Sequence, residues 1–209
     1  MLGVLLTLSP VFAFGVVALI VQSRGVQLQI ANLTRQSPAG LRSKRSRKVD
    51  AVVLHQMSFS RGTDPARYHR VKAHFIVLPD GTVAQLHPVS ARLSASGGFN
   101  SRSVAIEFAG NLKSANGNWW KPNSFGRDSL TSAQVAAGRS LLRLLHREGV
   151  RFVFAHRQSD PDRGNDPGPE IWSSVAEWAI KTLEMSDGGP EYRLDGGRVI
   201  PEEWRSFHV

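Results

Sequence analysis

The chain has 209 residues, enough for one domain of ordinary size with extensions. It carries 26 Lys and Arg against 17 Asp and Glu, a formal charge of +9, which points to a polyanionic partner or surface such as nucleic acid, acidic phospholipid or the bacterial cell wall. It has no cysteine, which excludes a disulfide-based fold and leaves His, Asp and Glu as the ligands for any metal.

Met1 to Gln22 contains no charged side chain. As a helix rising ~1.5 Å per residue it would reach roughly 33 Å, sufficient to cross a hydrocarbon core. Pro10 and Gly15 are tolerated in such a span. No basic residue opens the segment and no A-x-A site closes it, so residues 1–22 read as an uncleaved hydrophobic helical anchor. A signal peptide and a segment buried in an assembly are the alternatives. Residues 23–48 carry Arg24, Arg35, Arg42, Lys44, Arg45, Arg47 and Lys48 and no acidic residue. They read as a basic linker, either solvated or drawn to anionic headgroups, with the lipid bilayer as partner. The positive-inside rule would keep that flank cytoplasmic.

A folded domain is expected over residues 49–185, followed by a tail over 186–209. Asp50 to Leu54 is a short apolar run, the pattern of a buried strand, and His55 stands at its end. Asp64-Pro65 marks a helix start. Ala73 to Leu86 reads as a hairpin turning at Pro79-Asp80-Gly81. Val89 to Ser101 and Asn111 to Arg127 are loops; Trp119-Trp120 in the second either stacks on sugar rings or packs on the domain. Val104 to Phe108 is a strand with a carboxylate inside it: Ala105 and Glu107 share one face, Val104, Ile106 and Phe108 the other. Thr131, with Gln134 three residues later, opens a long amphipathic helix that Gly149 stops. Phe152 to Ala155 is a strand ending at His156. The polar run from His156 to Asp166 then leads into a helix over Pro169 to Leu183. The tail holds two Asp-Gly-Gly turns and an exposed-looking Trp204.

Read singly, His55 and His156 are ordinary strand-end residues. Read together, strands of one sheet that end side by side bring their last residues into reach, and the loop after His156 can return Asp166 to the same point. Two imidazoles and a carboxylate leave a fourth position open on Zn²⁺, the pattern of a catalytic rather than a structural site. Glu107 lies on a half-exposed strand or points into that site, where it would be a general base toward water at the metal. His74 reads as a structural histidine of the hairpin, and His69, His87, His146 and His208 as surface residues. Asn100 and Arg102 precede the strand of Glu107, where a glycan or stem peptide would be held.

The tripeptide LHQ at His55, the hairpin AHFIVLPDGTVAQL, the segment SVAIEFAG and the stretch AHRQSDPDRGNDPGPEIW together resemble the zinc-dependent N-acetylmuramoyl-L-alanine amidases. That family includes AmpD-type amidases, T7-lysozyme-type phage amidases and peptidoglycan recognition proteins. The resemblance runs from Val49 to Leu183 and is most specific at DPGP. It implies an α/β fold, a mixed central sheet flanked by helices, with zinc in a groove that accepts peptidoglycan. It also implies hydrolysis of the amide between N-acetylmuramic acid and L-alanine. On this resemblance His55, His156 and Asp166 are the zinc ligands and Glu107 is the catalytic glutamate. The aspartate ligand and the glutamate are nearest to the AmpD-like branch. The family's lysine two residues before the third ligand is replaced by Gly164, which leaves Arg163 or Arg157 to supply the positive charge, Arg163 being preferred. Without such a charge the domain would bind muropeptide without cutting it. No nucleic-acid motif accompanies the basic segment, so nucleic acid is not expected as partner. The expected location is a membrane anchor facing the cell wall or a phage particle, with a cytoplasmic orientation left open by the basic flank.

Overall fold

The computed structural model describes residues 17–23, 26–112 and 126–208. In chain order the strands are β1 (Val17–Ser23), β2 (Val26–Asn32), β3 (Ser43–Lys44), β4 (Ala51–Gln56), β5 (Phe75–Val77), β6 (Val83–Gln85), β7 (Ala91–Arg92), β8 (Ser103–Phe108) and β9 (Phe152–Ala155). The helices are α1 (Ser132–Arg147), α2 (Pro169–Ile171), α3 (Glu177–Leu183) and α4 (Glu202–Arg205); a wider helical turn, Trp172–Ala176, joins α2 to α3.

One mixed sheet runs in the order β1-β2-β6-β5-β8-β4-β9, and β3 pairs with β7 outside it. β4 is parallel to β8 and to β9, and β5 is parallel to β8. A strand flanked by parallel neighbours is covered on both faces, which is why AVVL is apolar without alternation and every residue of β4 is buried. The β5–β6 hairpin turns at Gly81, where φ is +86°, and Asp80 accepts hydrogen bonds from the Thr82 amide and hydroxyl.

Side-chain alternation divides the sheet into two surfaces. Val52, Leu54, Val104, Ile106, Phe108 and Val153 pack against the helices, meeting Leu141, Leu142, Trp172 and Val175. The capping box expected at Thr131 is present, with the Gln134 amide donating to Thr131 Oγ1 and the Thr131 amide to Gln134 Oε1. Gly138 lets α1 approach the sheet closely, since a Cβ there would stand 2.7 Å from Phe108 Cζ. The other surface is covered by loops. Ala51, Val53 and Phe154 pack there with Phe99, and Ile76 and Ala84 with Tyr68. His55 follows Val53 and Glu107 follows Ala105 by two residues, so both side chains project to this loop-covered side.

The N-terminal region departs from the sequence expectation. Val17–Gln22, the described part of the expected helical anchor, is strand β1, antiparallel to β2; the rest of residues 1–22 lies outside the described residues. The run Val17-Ala18-Leu19-Ile20-Val21 is rich in β-branched residues, which suit a strand. Among the described residues no helix is long and apolar enough to cross a membrane. Nor do residues 26–48 form a free linker. β2 joins the main sheet parallel to β6, with Leu28 and Ile30 buried and Gln29 exposed between them. Arg42 donates to the Ser37 carbonyl (2.8 Å) and to His87 Nδ1 (2.9 Å), and His87 is buried rather than at the surface. Arg45 donates to the carbonyls of Ala91, Asn100, Ser101 and Ser103, so its charge fastens the 91–103 loop instead of seeking an external anion.

The tail is likewise part of the packed structure. Trp204, expected to be exposed, is buried with Ile200 against the helices, and the Arg157 guanidinium lies 4.5 Å from its ring centroid. Arg205 donates to Glu177 (3.0 Å) and to Asp187 (2.6 Å), tying α4 to α3 and to the start of the tail. Trp204→Ala is expected to cost about 3 kcal/mol or more of unfolding free energy, the range for an emptied aromatic site. Chemical denaturation of the full chain measures it; a loss below about 1 kcal/mol would show that the tail unfolds apart from the domain.

Candidate metal centre

The parallel pairing of β4 with β9 puts Leu54 opposite Ala155, so His55 and His156 leave adjacent strands side by side. Their Nδ1 atoms are 3.1 Å apart. The loop after His156 turns back through two short helical turns, and the Arg157 amide donates to the Asp166 carbonyl (3.1 Å). Asp166 Oδ1 accepts from the Gln56 amide (2.7 Å), which fixes the carboxylate against the end of β4. Its Oδ2 then lies 3.0 Å from His156 Nδ1 and 3.4 Å from His55 Nδ1. All three residues are buried.

This donor set fits a zinc ion. Ligand atoms ~2.0–2.1 Å from one tetrahedral zinc stand about 3.3 Å from each other, against the 3.0, 3.1 and 3.4 Å observed. Two ring nitrogens and a carboxylate oxygen facing one point concentrate lone pairs that a cation satisfies. The protonation states agree. Burial lowers the pKa of His55, with Asp166 opposing, and the net effect favours the neutral ring. Burial alone would raise the pKa of Asp166, but the two imidazoles set against it hold the carboxyl well below its usual range. Neutral imidazole and carboxylate are the forms that bind metal.

Glu107 is the register partner of His55 across β4 and β8. Its Oε2 is closed off from solvent and has no hydrogen-bond partner among the described residues. Burial, reinforced by the charge on Asp166, raises its pKa well above the ordinary glutamate value, with Arg163 acting in the opposite sense. A buried oxygen without a partner is costly, and its persistence asks for a function.

The two arginines considered for the missing lysine part company. Arg163 closes the turn Pro161–Arg163, 3.9 Å by its Nε from Asp160 Oδ2, and its charge acts on both His55 and Glu107. Arg157 instead faces the tail, over Trp204 and beside Arg198. The space above Gly164 is taken by Arg198, whose Nη1 would be 3.0 Å from a Cβ there.

Other expected positions have structural duties. His74 accepts from the Ala105 amide and bonds the Ala91 carbonyl, holding the hairpin to β8. Arg102 makes a two-pronged pair with Asp50 (2.6 and 2.8 Å) and covers the Phe152 ring, and Asn100 caps the amides of Ala95 and Ser96. Asn100 Oδ1 and Arg102 Nε and Nη2 are thus engaged within the fold. Trp119-Trp120 lies outside the described residues. Two contacts behind the cluster carried no sequence signal: Ser96 Oγ is 3.0 Å from His55 Nε2, and Asp160 Oδ2 is 3.8 Å from His156 Nε2.

Parallel strands that deliver two histidines, with a returning loop that adds an aspartate, define an α/β domain organised around a His-His-Asp centre. The sequence model of the N-acetylmuramoyl-L-alanine amidase family matches residues 45–169, and the chain belongs to this family. Among solved structures it is similar to the amidase LysC of Clostridium intestinale, at 18% identity and a TM-score of 0.51, covering 66% of this chain and 87% of that one. It is also similar to the Drosophila peptidoglycan recognition protein SA, at 18% identity and a TM-score of 0.54, covering 72% and 92%. The Drosophila peptidoglycan recognition protein LB gives 14% identity and a TM-score of 0.56, covering 77% and 98%. At these identities the likeness is one of fold. A search of curated proteins gave no match.

Proposed function

We propose that the protein is a zinc-dependent peptidoglycan amidase that hydrolyses the bond between N-acetylmuramic acid and the L-alanine of the stem peptide. The observation that carries this reading is the convergence of His55 Nδ1, His156 Nδ1 and Asp166 Oδ2 beside the partnerless buried oxygen of Glu107. Zinc held by the three residues would supply Lewis-acid polarisation of the scissile carbonyl and a lower pKa for the attacking water. Glu107 takes the proton from that water and returns it to the alanine nitrogen as the amide breaks. Its raised pKa suits both halves of that transfer. Arg163, whose charge reaches His55 and Glu107, would stabilise the negative charge that develops on the carbonyl oxygen. The charge of +9 draws the protein to the anionic cell wall, which is then its place of action, reached from a cell or from a phage particle.

One observation favours a second reading in which the same fold binds muropeptide without cutting it: Gly164 offers no side-chain charge at that position. Sacculus pull-down compared with turnover separates the two. The full chain with one equivalent of Zn²⁺ should release stem peptides from purified sacculi, and EDTA should stop the release. Retention on sacculi without release by the zinc-loaded chain would support the binding module instead.

A further inference from the structure

We infer that Ser96 is a positioning residue for the metal centre, fixing the ring of His55 so that Nδ1 carries the lone pair aimed at the ion. The inference rests on the reading of His55, His156 and Asp166 as metal ligands. An imidazole that offers one nitrogen to a metal must carry its proton on the other, and a bond to that second nitrogen sets both tautomer and orientation. Ser96 Oγ stands 3.0 Å from His55 Nε2, and Ser96 is only 1% exposed, so water does not compete for the contact. At His156 the corresponding group is different: Asp160 Oδ2 is 3.8 Å from Nε2, beyond direct hydrogen-bond distance. His55 is therefore the ring whose orientation is set by a direct buried bond.

The surrounding chain holds Ser96 in place. Asn100 Oδ1 accepts from the amides of Ala95 (2.9 Å) and Ser96 (2.7 Å). Ser159 Oγ, three residues after His156, donates to the Ser96 carbonyl (3.0 Å). Gly97 has φ of +53°, and a Cβ on it would stand 2.8 Å from Ser159 Oγ, so the loop closes onto the metal-bearing segment only with glycine there. Arg45 completes the support by donating to the carbonyls of Asn100 and Ser101. The basic segment near residue 45 thus contributes to the centre by holding the loop that holds Ser96.

The test is zinc affinity of the full chain, measured by competition with a chromophoric chelator, together with ¹⁵N NMR of the histidine rings. Ser96→Ala should lower zinc affinity about 10- to 100-fold, the range for removing a partner behind a metal-bound histidine. Ser96→Thr, which keeps the hydroxyl, should restore most of it. The chelated Ser96→Ala protein should melt somewhat lower, because a buried ring N–H loses its partner, and Ser96→Thr should recover melting and zinc affinity together. In the zinc-free wild type, His55 should already carry its proton on Nε2, in slow exchange with water. Equal zinc affinity in wild type and a folded Ser96→Ala overturns the proposal, as does a wild-type His55 protonated on Nδ1. The NMR arm decides the matter even if Ser96→Ala does not fold. A wild type that takes up no zinc overturns the metal reading itself, an outcome distinct from wild type and variant binding equally.

Discussion

Glu107→Gln is expected to lower stem-peptide release by about 10²- to 10⁴-fold, the usual contribution of a positioned general base, while zinc stays bound. The amide keeps the shape of the carboxyl but cannot accept the proton. Glu107 is not among the three converging ligands, so metal uptake should be unchanged. Stability should not fall, because the substitution removes the need to hold a charge at a buried site. The pH profile supplies an independent check. A base works only when deprotonated, and burial raises the pKa of Glu107 well above the ordinary value. Activity of the wild type should therefore rise with pH through a limb displaced upward from the range of an exposed glutamate, and the residual activity of the variant should lack that limb. Retention of turnover within tenfold of wild type would remove Glu107 from the chemistry.

The second large effect is at the ligands. His156→Ala should weaken zinc binding by more than 100-fold: roughly 10 kcal/mol shared over three ligands leaves about 3 kcal/mol for each. This substitution is preferred to one at Asp166, because Asp166 Oδ1 also holds the Gln56 amide at the end of β4 and its loss would disturb the loop. With His156 removed, that bond remains and the fold should persist. Equilibrium dialysis against buffered zinc measures the change. Affinity within twofold of wild type would mean that the ion binds elsewhere.

The parts of this structure that were legible in sequence are those whose signals are local. The uninterrupted apolar run before His55 marks a strand covered on both faces, and Thr131 with Gln134 marks a helix start through two reciprocal hydrogen bonds. Alternation around Glu107 separated its face from that of Ile106 and Phe108, as the two packed surfaces show. What escaped depends on the path of the chain between elements. The alternation of Leu28, Gln29 and Ile30 was submerged in a run of basic residues, two of which, Arg42 and Arg45, are internal fasteners. Trp204 follows turns that look like the start of a free tail, yet Arg205 returns that tail to Glu177. The preference for Arg163 over Arg157 comes from its place beside Gly164; that Arg157 turns to Trp204 depends on the packing of the tail. Ser96 has no periodicity or spacing to mark it; only the closure of its loop over His55 gives it a partner.

The most direct measurement is to map the bond cut in purified sacculi by the zinc-loaded full chain, using mass spectrometry of the released fragments. The account predicts stem peptides that begin with a free L-alanine amine and glycan strands that retain intact lactyl-muramic acid, with release abolished by EDTA and restored by Zn²⁺. Fragments with new reducing sugar ends, cleavage within the stem peptide, or no release by the fully metallated chain would contradict it.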